Sequence, residues 1–163
     1  MKLNLEQLNQ LQATLDQHIM DNHQLTRPET IHRRILALLV ELSESANETR
    51  CFKFWSLKDP SDLTIIEEEL SDVLHFIISL NLNLATPLQE IEVVVTPKDL
   101  TQLFLESYQQ ALKLMESLDA ETIGQLLNAF FNIVIQVGSS PQALLNAYTE
   151  KNAINHHRQD QQY

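Results

Sequence analysis

The sequence predicts an all-α protein, folded as a single domain of five or six helices packed in a bundle. Three observations predict this class. The 163 residues are enough for one domain with its own core, and 44% of them are hydrophobic. Only 2 glycines and 5 prolines are available for tight turns. The apolar residues recur at helical spacing along most of the chain, so we treat residues 1–163 as one helical domain.

The first two helices follow from leucine and isoleucine residues that recur every three or four positions. Helix one covers residues 5–23. Helix two opens at Pro28, a residue suited to the first helical turn, and ends near Asn47. Residues 49–60 follow without a helical period and contain the only tryptophan, so we expect a loop or broken helical turns there.

The second half of the chain repeats this pattern of helices and short connectors. Helix three starts near Ser61 and Asp62, either of which could cap it, and continues to about Leu80. Residues 83–98 contain two prolines and a β-branched run, which predicts a connector that is partly extended. Three further helices are expected over residues 97–118, 121–137 and 139–158, with Gly138 as a stop signal between the last two.

The charge balance narrows the classes of partner. The chain has 11 basic and 22 acidic residues, giving a net charge of −11, which disfavours nucleic acid and favours divalent cations. A single cysteine excludes an internal disulfide or a cysteine-rich zinc site. No stretch approaches the ~18 apolar residues of a membrane span, and no secretory signal is evident. We therefore expect a cytoplasmic protein without a membrane or nucleic-acid partner.

Helix three carries an acidic residue inside its apolar stripe. At about 100° per residue, Val73 and Phe76 fall within roughly 40° of Glu69, and Asp72 lies about 60° away. Glu68, in contrast, lies about 100° from Glu69 and is expected to face solvent. Glu69 and Asp72 thus form an i, i+3 pair at the edge of the expected core.

Helix two has an equivalent pair, Glu41 and Glu44. If helices two and three run antiparallel, the two pairs converge into four carboxylates. Like charges about 4 Å apart repel by ~4 kcal/mol at a dielectric near 20, so such a cluster needs protons or cations. All-oxygen ligands favour Mg²⁺ or Mn²⁺ over zinc. The alternative is that the acids lie on the surface and Glu69 pairs with an arginine such as Arg34.

Four sequence motifs together resemble the dimeric, all-α dUTP diphosphatases, which belong to the wider MazG-like NTP pyrophosphatase superfamily. They are an ExxE motif at 41–44, FKFWS at 52–56, an ExxD motif followed by LHF at 69–76, and YTEKNAINHHRQ at 148–159. The family often has glycine where this chain has Val73 and Asn81. The resemblance covers essentially the whole chain.

The resemblance implies hydrolysis of dUTP, and of dUDP, to dUMP. It assigns Glu41, Glu44, Glu69 and Asp72 to the metal, with Glu44 as the general base for the attacking water. Helix six adds a row of hydrogen-bond donors at positions i, i+4 and i+7, which suits a phosphate tail. The alternative is that these groups only place favourable positive charge at the C-terminal end of the helix. That row is Lys151, Asn155 and Arg158. Lys53 and Lys58 are further phosphate candidates, or solvated loop residues.

Base and sugar recognition is expected from residues elsewhere in the chain. Trp55 is a stacking or lid residue, unless it belongs to the core. The resemblance places His75 near the deoxyribose, the alternative being a histidine satisfied by protein partners. Gln12, Asp16 and Asn47 could read the uracil edge, or lie exposed.

Two further expectations concern assembly and substrate. Helix five, LLNAFFNIVIQV, is apolar all round, which is typical of a central core or a subunit interface, and the resemblance implies a homodimer. The other interpretations left open are a related pyrophosphatase for dCTP or a modified nucleotide, and a non-enzymatic helical interaction module.

Overall fold

The computed structural model describes residues 1–161, and within them the all-α prediction is confirmed. Six helices follow one another along the chain: α1 (Glu6–His23), α2 (Ile31–Thr49), α3 (Leu63–Asn81), α4 (Leu100–Lys113), α5 (Ala120–Gln136) and α6 (Pro141–Asp160). A short 3₁₀ helix, Pro28–Thr30, precedes α2. They form one bundle around a continuous apolar core.

Helices α2 and α3 form the centre of the bundle and run antiparallel, as the sequence predicts. At one end, Arg34 Nη1 in α2 donates to the backbone oxygen of Ser79 in α3 at 2.7 Å. At the other end, Ser61, just before α3, donates a hydrogen bond to the Glu48 carboxylate. The second half of α3 is almost fully buried because α1, α2, α5 and α6 all pack against it.

Several helix ends differ from the sequence prediction. Helix α4 begins at Leu100, three residues later than expected, because Asp99 and Gln102 form a reciprocal capping box. It ends at Lys113, where a turn replaces the predicted last helical turn. Asp62 occupies the N-cap of α3 but makes no side-chain cap hydrogen bond. Gly138 does follow α5 with φ +90°, a conformation that favours glycine.

A pair of short strands joins the chain's first residues to the connector before α4. The sequence did not predict this pairing. Strand β1 (Lys2–Asn4) pairs antiparallel with β2 (Glu90–Glu92), with Leu3 opposite Ile91. The second strand falls inside the connector expected to be partly extended. The first was missed because three residues are too few to show an alternating pattern.

Helix α5 is buried within the single chain. Its apolar residues, among them Phe130, Phe131 and Ile133, contact α3, α4 and α6 rather than solvent. The all-round apolar composition of α5 is therefore explained by the core of one chain. Among the exposed apolar side chains, four lie on α2 and α4, which pack side by side: Leu36, Val40, Leu105 and Leu112. No helix in residues 1–161 is long and apolar enough to cross a membrane.

Candidate active site

Three carboxylates from α2 and α3 converge in the structure. One oxygen from each of Glu41, Glu69 and Asp72 lies within 4.8 Å of the other two. All three side chains are half-buried, because they border the apolar seam between the two antiparallel helices. The predicted meeting of the two acid pairs therefore occurs for these three residues, which we call the carboxylate cluster.

Burial and mutual repulsion favour the protonated forms of the cluster. Burial, followed by the charges of Asp72, Glu44 and Glu69, raises the pKa of Glu41 to about 7. Burial and the charge of Glu44 likewise raise the pKa of Glu69. Burial also raises the pKa of Asp72, against the opposing effect of Lys151. The three groups thus hold unfavourable negative charge that a cation would neutralise.

Glu44 lies beside the carboxylate cluster without being one of its three members. It is one turn after Glu41 on α2 and is exposed to solvent. Its charge reaches both Glu41 and Glu69, since it contributes to the raised pKa of each. Because the Glu44 carboxylate is exposed and its three neighbours are half-buried, Glu44 is placed to contact water rather than the core.

The alternative pairing of Glu69 with Arg34 is wrong. Arg34 is buried and directs its guanidinium at neutral acceptors, including Thr30, the Ser79 backbone and Asn83. Within residues 1–161 it forms no salt bridge with Glu69.

Lys151 of α6 is the cation that contacts the carboxylate cluster. Its Nζ lies 2.8 Å from Asp72 Oδ2 and 3.0 Å from Glu68 Oε1. These two carboxylates raise the pKa of Lys151 in spite of its burial, so it stays charged. Glu68 is 62% exposed, as its angular position predicts.

A cavity of about 330 Å³ adjoins the cluster. Asp72 belongs to both the cavity wall and the cluster, while Phe76 supplies apolar surface and Asn155 of α6 supplies a polar group. Arg158 follows on α6 and lies close enough to Asp72 to lower the pKa of that carboxyl. The row of donors predicted on α6 is thus aligned along the cluster and the cavity.

Gln12, Asp16 and His75 line the same cavity but are buried. Gln12 Oε1 accepts a hydrogen bond from the Tyr148 hydroxyl at 2.6 Å and lies 2.7 Å from His75 Nδ1. Gln12 Nε2 donates to Asp16 Oδ1 at 2.7 Å. Burial lowers the pKa of His75 to about 3, which leaves the imidazole neutral. The alternative that Gln12 and Asp16 are exposed is therefore wrong.

The last turn of α2 and the loop between α2 and α3 hold the remaining predicted contacts, none of which lines the cavity. Asn47 and Lys53 hydrogen-bond each other through their side chains. Trp55 is 65% exposed and makes edge-to-face contacts with Phe54, so it is not a core residue. Lys58 is exposed, and its backbone oxygen accepts a hydrogen bond from Arg50.

Residues of the site that were missed in the sequence include Phe76 of the cavity wall and three hydrogen-bonding or stacking partners, Arg27, Ser79 and Tyr148. Arg27 Nη1 forms a 2.7 Å ion pair with Asp16, and Ser79 Oγ donates to the same carboxylate. Tyr148 stacks on His75 with ring centroids 3.9 Å apart. The available signals were a serine four residues after His75 within an apolar helix, and a tyrosine three residues before Lys151.

The carboxylate cluster suits a hard divalent cation. Its ligands are oxygen atoms only, which Mg²⁺ prefers, and no cysteine or histidine accompanies them among the described residues. Opposite ligands of an octahedral Mg²⁺ ion are about 4.2 Å apart, given bonds of about 2.1 Å. The three oxygen atoms lie within 4.8 Å of one another, and a cation would relieve the repulsion that raises the pKa values of the cluster.

Comparison with known proteins identifies the class. The sequence model of the dUTPase family matches residues 4–163, essentially the whole chain. The protein therefore belongs to the all-α dUTPase family, whose members are hydrolases acting on nucleotides. A search of curated proteins returned no match.

Proposed function

We propose that the protein is a Mg²⁺-dependent dUTP diphosphatase that hydrolyses dUTP, and also dUDP, to dUMP and so limits the incorporation of uracil into DNA. The observation that carries this proposal is the carboxylate cluster of α2 and α3 beside a cavity of about 330 Å³. Membership in the dUTPase family supports the same substrate.

In this proposal, Glu41, Glu69 and Asp72 hold the metal, and Glu44 completes the shell from the solvent side. Mn²⁺ prefers similar oxygen ligands and could replace Mg²⁺. When bound, the ion supplies positive charge that neutralises the phosphate oxygens as the bond to the leaving phosphate breaks. Glu44 acts as the general base that accepts a proton from the attacking water, since its carboxylate is exposed to solvent next to the cluster.

The phosphate tail is held by the donor row of α6. Lys151 already contacts the carboxylate cluster, and Asn155 and Arg158 follow it along the same helix. Guanidinium and ammonium groups bind phosphate oxygens through charge-assisted hydrogen bonds. Lys53 and Lys58 of the loop after α2 add further positive charge.

The nucleoside occupies the cavity lined by His75 and Phe76. Phe76 offers an apolar surface for the base or sugar, and the buried polar groups of the wall fix its orientation. We place Trp55 over the nucleotide as part of a loop that closes on it, and Asn47 of the last turn of α2 beside it, because both are exposed in the structure. Gln12 and Asp16 form the wall behind His75.

We further propose a cytoplasmic homodimer whose interface is the exposed apolar face of α2 and α4, not α5. Leu36 and Val40 lie on α2 and Leu105 and Leu112 on α4, two helices that pack against each other, and each side chain is between 46% and 64% exposed. Exposed apolar side chains on adjoining helices are typical of a protein interface. The net charge of −11 agrees with a free nucleotide, bound through a metal, as the substrate in place of nucleic acid.

The test is the release of phosphate and pyrophosphate from dUTP, dUDP, dTTP, dCTP and dATP, with Mg²⁺ and with EDTA. Turnover of dUTP and dUDP alone, lost in EDTA, is the expected result. Turnover of dCTP instead would keep the metal chemistry and overturn the assignment of the base. No turnover of any nucleotide would favour the non-enzymatic alternative, a helical interaction module.

A further inference from the structure

A chain of hydrogen bonds, buried except at Arg27, connects Arg27 to His75 beside the cavity. Arg27 Nη1 donates to Asp16 Oδ2 at 2.7 Å, and Asp16 Oδ1 accepts from Gln12 Nε2 at 2.7 Å. Gln12 Oε1 then lies 2.7 Å from His75 Nδ1. Ser79 Oγ also donates to Asp16 Oδ2, at 2.7 Å. Every contact in this chain is within ordinary hydrogen-bond distance.

The direction of these hydrogen bonds is set by Asp16. Its carboxylate, paired with the guanidinium of Arg27, offers acceptor atoms only. The amide of Gln12 must therefore turn its NH₂ group toward Asp16 and its oxygen toward His75. The Tyr148 hydroxyl agrees with this orientation, because it donates to the same amide oxygen at 2.6 Å.

An amide oxygen only accepts hydrogen bonds, so His75 Nδ1 must carry the proton. The neutral imidazole then has a lone pair at Nε2. This atom is buried and has no hydrogen-bond partner among the described residues, although His75 belongs to the cavity wall. Stacking on Tyr148, at an interplanar angle of 16°, holds the ring in place. A residue of the cavity wall thus carries one buried acceptor atom without a partner among the described residues.

We propose that Asp16 and Gln12 are positioning residues that fix His75 as the Nδ1–H tautomer, so that Nε2 accepts a hydrogen bond from an N–H or O–H group of the bound nucleotide. The identification of the ligand as a nucleotide rests on the proposed function. The opposite tautomer would present a donor and would select a carbonyl or phosphate oxygen instead. Asp16 and Gln12 therefore decide the polarity of the ligand group at Nε2 through their hydrogen bonds to each other and to His75.

The test is a long-range ¹H–¹⁵N correlation spectrum of the histidine side chains, recorded on the full chain without nucleotide. His75 is assigned by the signal lost in His75→Gln. We expect a protonated-type shift at Nδ1 and an unprotonated-type shift at Nε2. Asp16→Asn offers an NH₂ group of its own, which lets the Gln12 amide invert, so both shifts should move toward the average of the two tautomers.

Three further variants sharpen this test. Asp21→Asn removes the same charge from an exposed position of α1 and should leave the His75 signals unchanged. Tyr148→Phe should also keep the tautomer, because Asp16 alone sets the amide. If Asp16→Asn fails to fold, Gln12→Met removes the acceptor and should shift His75 toward the Nε2–H form. A wild-type Nε2–H tautomer, or an unchanged tautomer in both Asp16→Asn and Gln12→Met, would overturn the proposal.

Adding nucleotide then tests the buried acceptor itself. Binding of dUMP should shift the Nε2 signal of the wild type in the direction of hydrogen bonding. Loss of this shift with 2′,3′-dideoxy-UMP identifies a hydroxyl donor, and loss with N3-methyl-dUMP identifies the ring N–H. A bound dUMP that leaves Nε2 unchanged would overturn the role of the acceptor. Failure of dUMP to bind would contradict the proposed function, while the tautomer, measured without nucleotide, is tested separately.

Discussion

Lys151 Nζ lies 2.8 Å from Asp72 Oδ2, so a cation from α6 contacts one of the carboxylates that we assign to a metal. The Lys151 side chain is only 12% exposed and also contacts Glu68. It partly balances a cluster whose members repel one another. The stability of the bundle and the chemistry of the site are therefore coupled through this residue.

Replacement of Lys151 should make the stability of the protein depend on Mg²⁺. We expect Lys151→Gln to lower the free energy of unfolding by about 1–3 kcal/mol without metal, because a half-buried carboxylate loses its charged partner. Millimolar Mg²⁺ should restore most of that loss, since a ligand of the native state stabilises it. Thermal unfolding with EDTA and with Mg²⁺ measures both effects.

Lys113→Gln is the matched control, because Lys113 is exposed at the end of α4. It should change the melting temperature little, and equally with and without Mg²⁺. Equal behaviour of the two variants would show that Lys151 does not balance the cluster.

Because Glu41 titrates, the free energy of unfolding without metal and the apparent affinity for Mg²⁺ should change with pH in opposite directions. Its pKa is raised to about 7 in the folded protein from an ordinary value of 4.5. The folded chain thus binds a proton that the unfolded chain has lost between these values, so without metal the free energy of unfolding falls as pH rises through this window. Mg²⁺ must displace that proton, and its apparent affinity should rise about tenfold per pH unit below 7.

Melting temperatures between pH 5 and pH 8, with EDTA and with Mg²⁺, check this prediction. Glu41→Gln removes one of the titrating groups and should reduce the pH dependence in EDTA, while Glu69 and Asp72, whose pKa values are also raised, retain their share. A wild-type profile no different from that of Glu41→Gln would contradict the assigned pKa shift.

Trp55 provides a spectroscopic report on the loop between α2 and α3. It is the only tryptophan and is 65% exposed, so its fluorescence should be that of an indole in water. If the loop closes on the nucleotide, dUMP with Mg²⁺ should shift the emission to shorter wavelength, and Trp55→Ala should raise KM while changing stability by less than about 0.5 kcal/mol. Emission that stays constant on saturation with dUMP would place Trp55 outside the site.

The face formed by α2 and α4 should determine the oligomeric state. Leu36→Glu places a charge in the middle of the proposed interface, and we expect it to convert a dimer into a folded monomer in sedimentation experiments. Ile154→Glu, at an exposed apolar position of α6 that is 49% accessible, is the control and should stay dimeric. A wild-type monomer, or a dimer unaffected by Leu36→Glu, would exclude this interface.

The helices and the acid pairs could be predicted from the sequence because both depend on local spacing. Apolar residues at every third or fourth position place the six helices, and the i, i+3 acids of α2 and α3 must meet once those helices pack antiparallel. Acidic residues are usually exposed, so the position of Glu69 inside the apolar stripe of α3 was the observation that indicated a site.

The cavity wall could not be predicted in the same way, because it depends on contacts between distant parts of the chain. The hydrogen bonds of Gln12 reach His75 and Tyr148, which lie 63 and 136 residues away in sequence. Helical periodicity carries no information on such pairs. The same holds for α5, whose apolar composition could not distinguish burial in one chain from burial between two.

The most direct test of the account compares Glu69→Gln with Glu116→Gln in Mg²⁺-dependent pyrophosphate release from dUTP and in Mn²⁺ binding followed by titration calorimetry. Glu116 is exposed beyond α4, so Glu116→Gln should match the wild type. Glu69→Gln should lose turnover and metal binding while its stability in EDTA is kept or increased, because the change relieves repulsion in the cluster. Turnover and Mn²⁺ binding at wild-type levels in Glu69→Gln would contradict the assignment of the carboxylate cluster as the metal site.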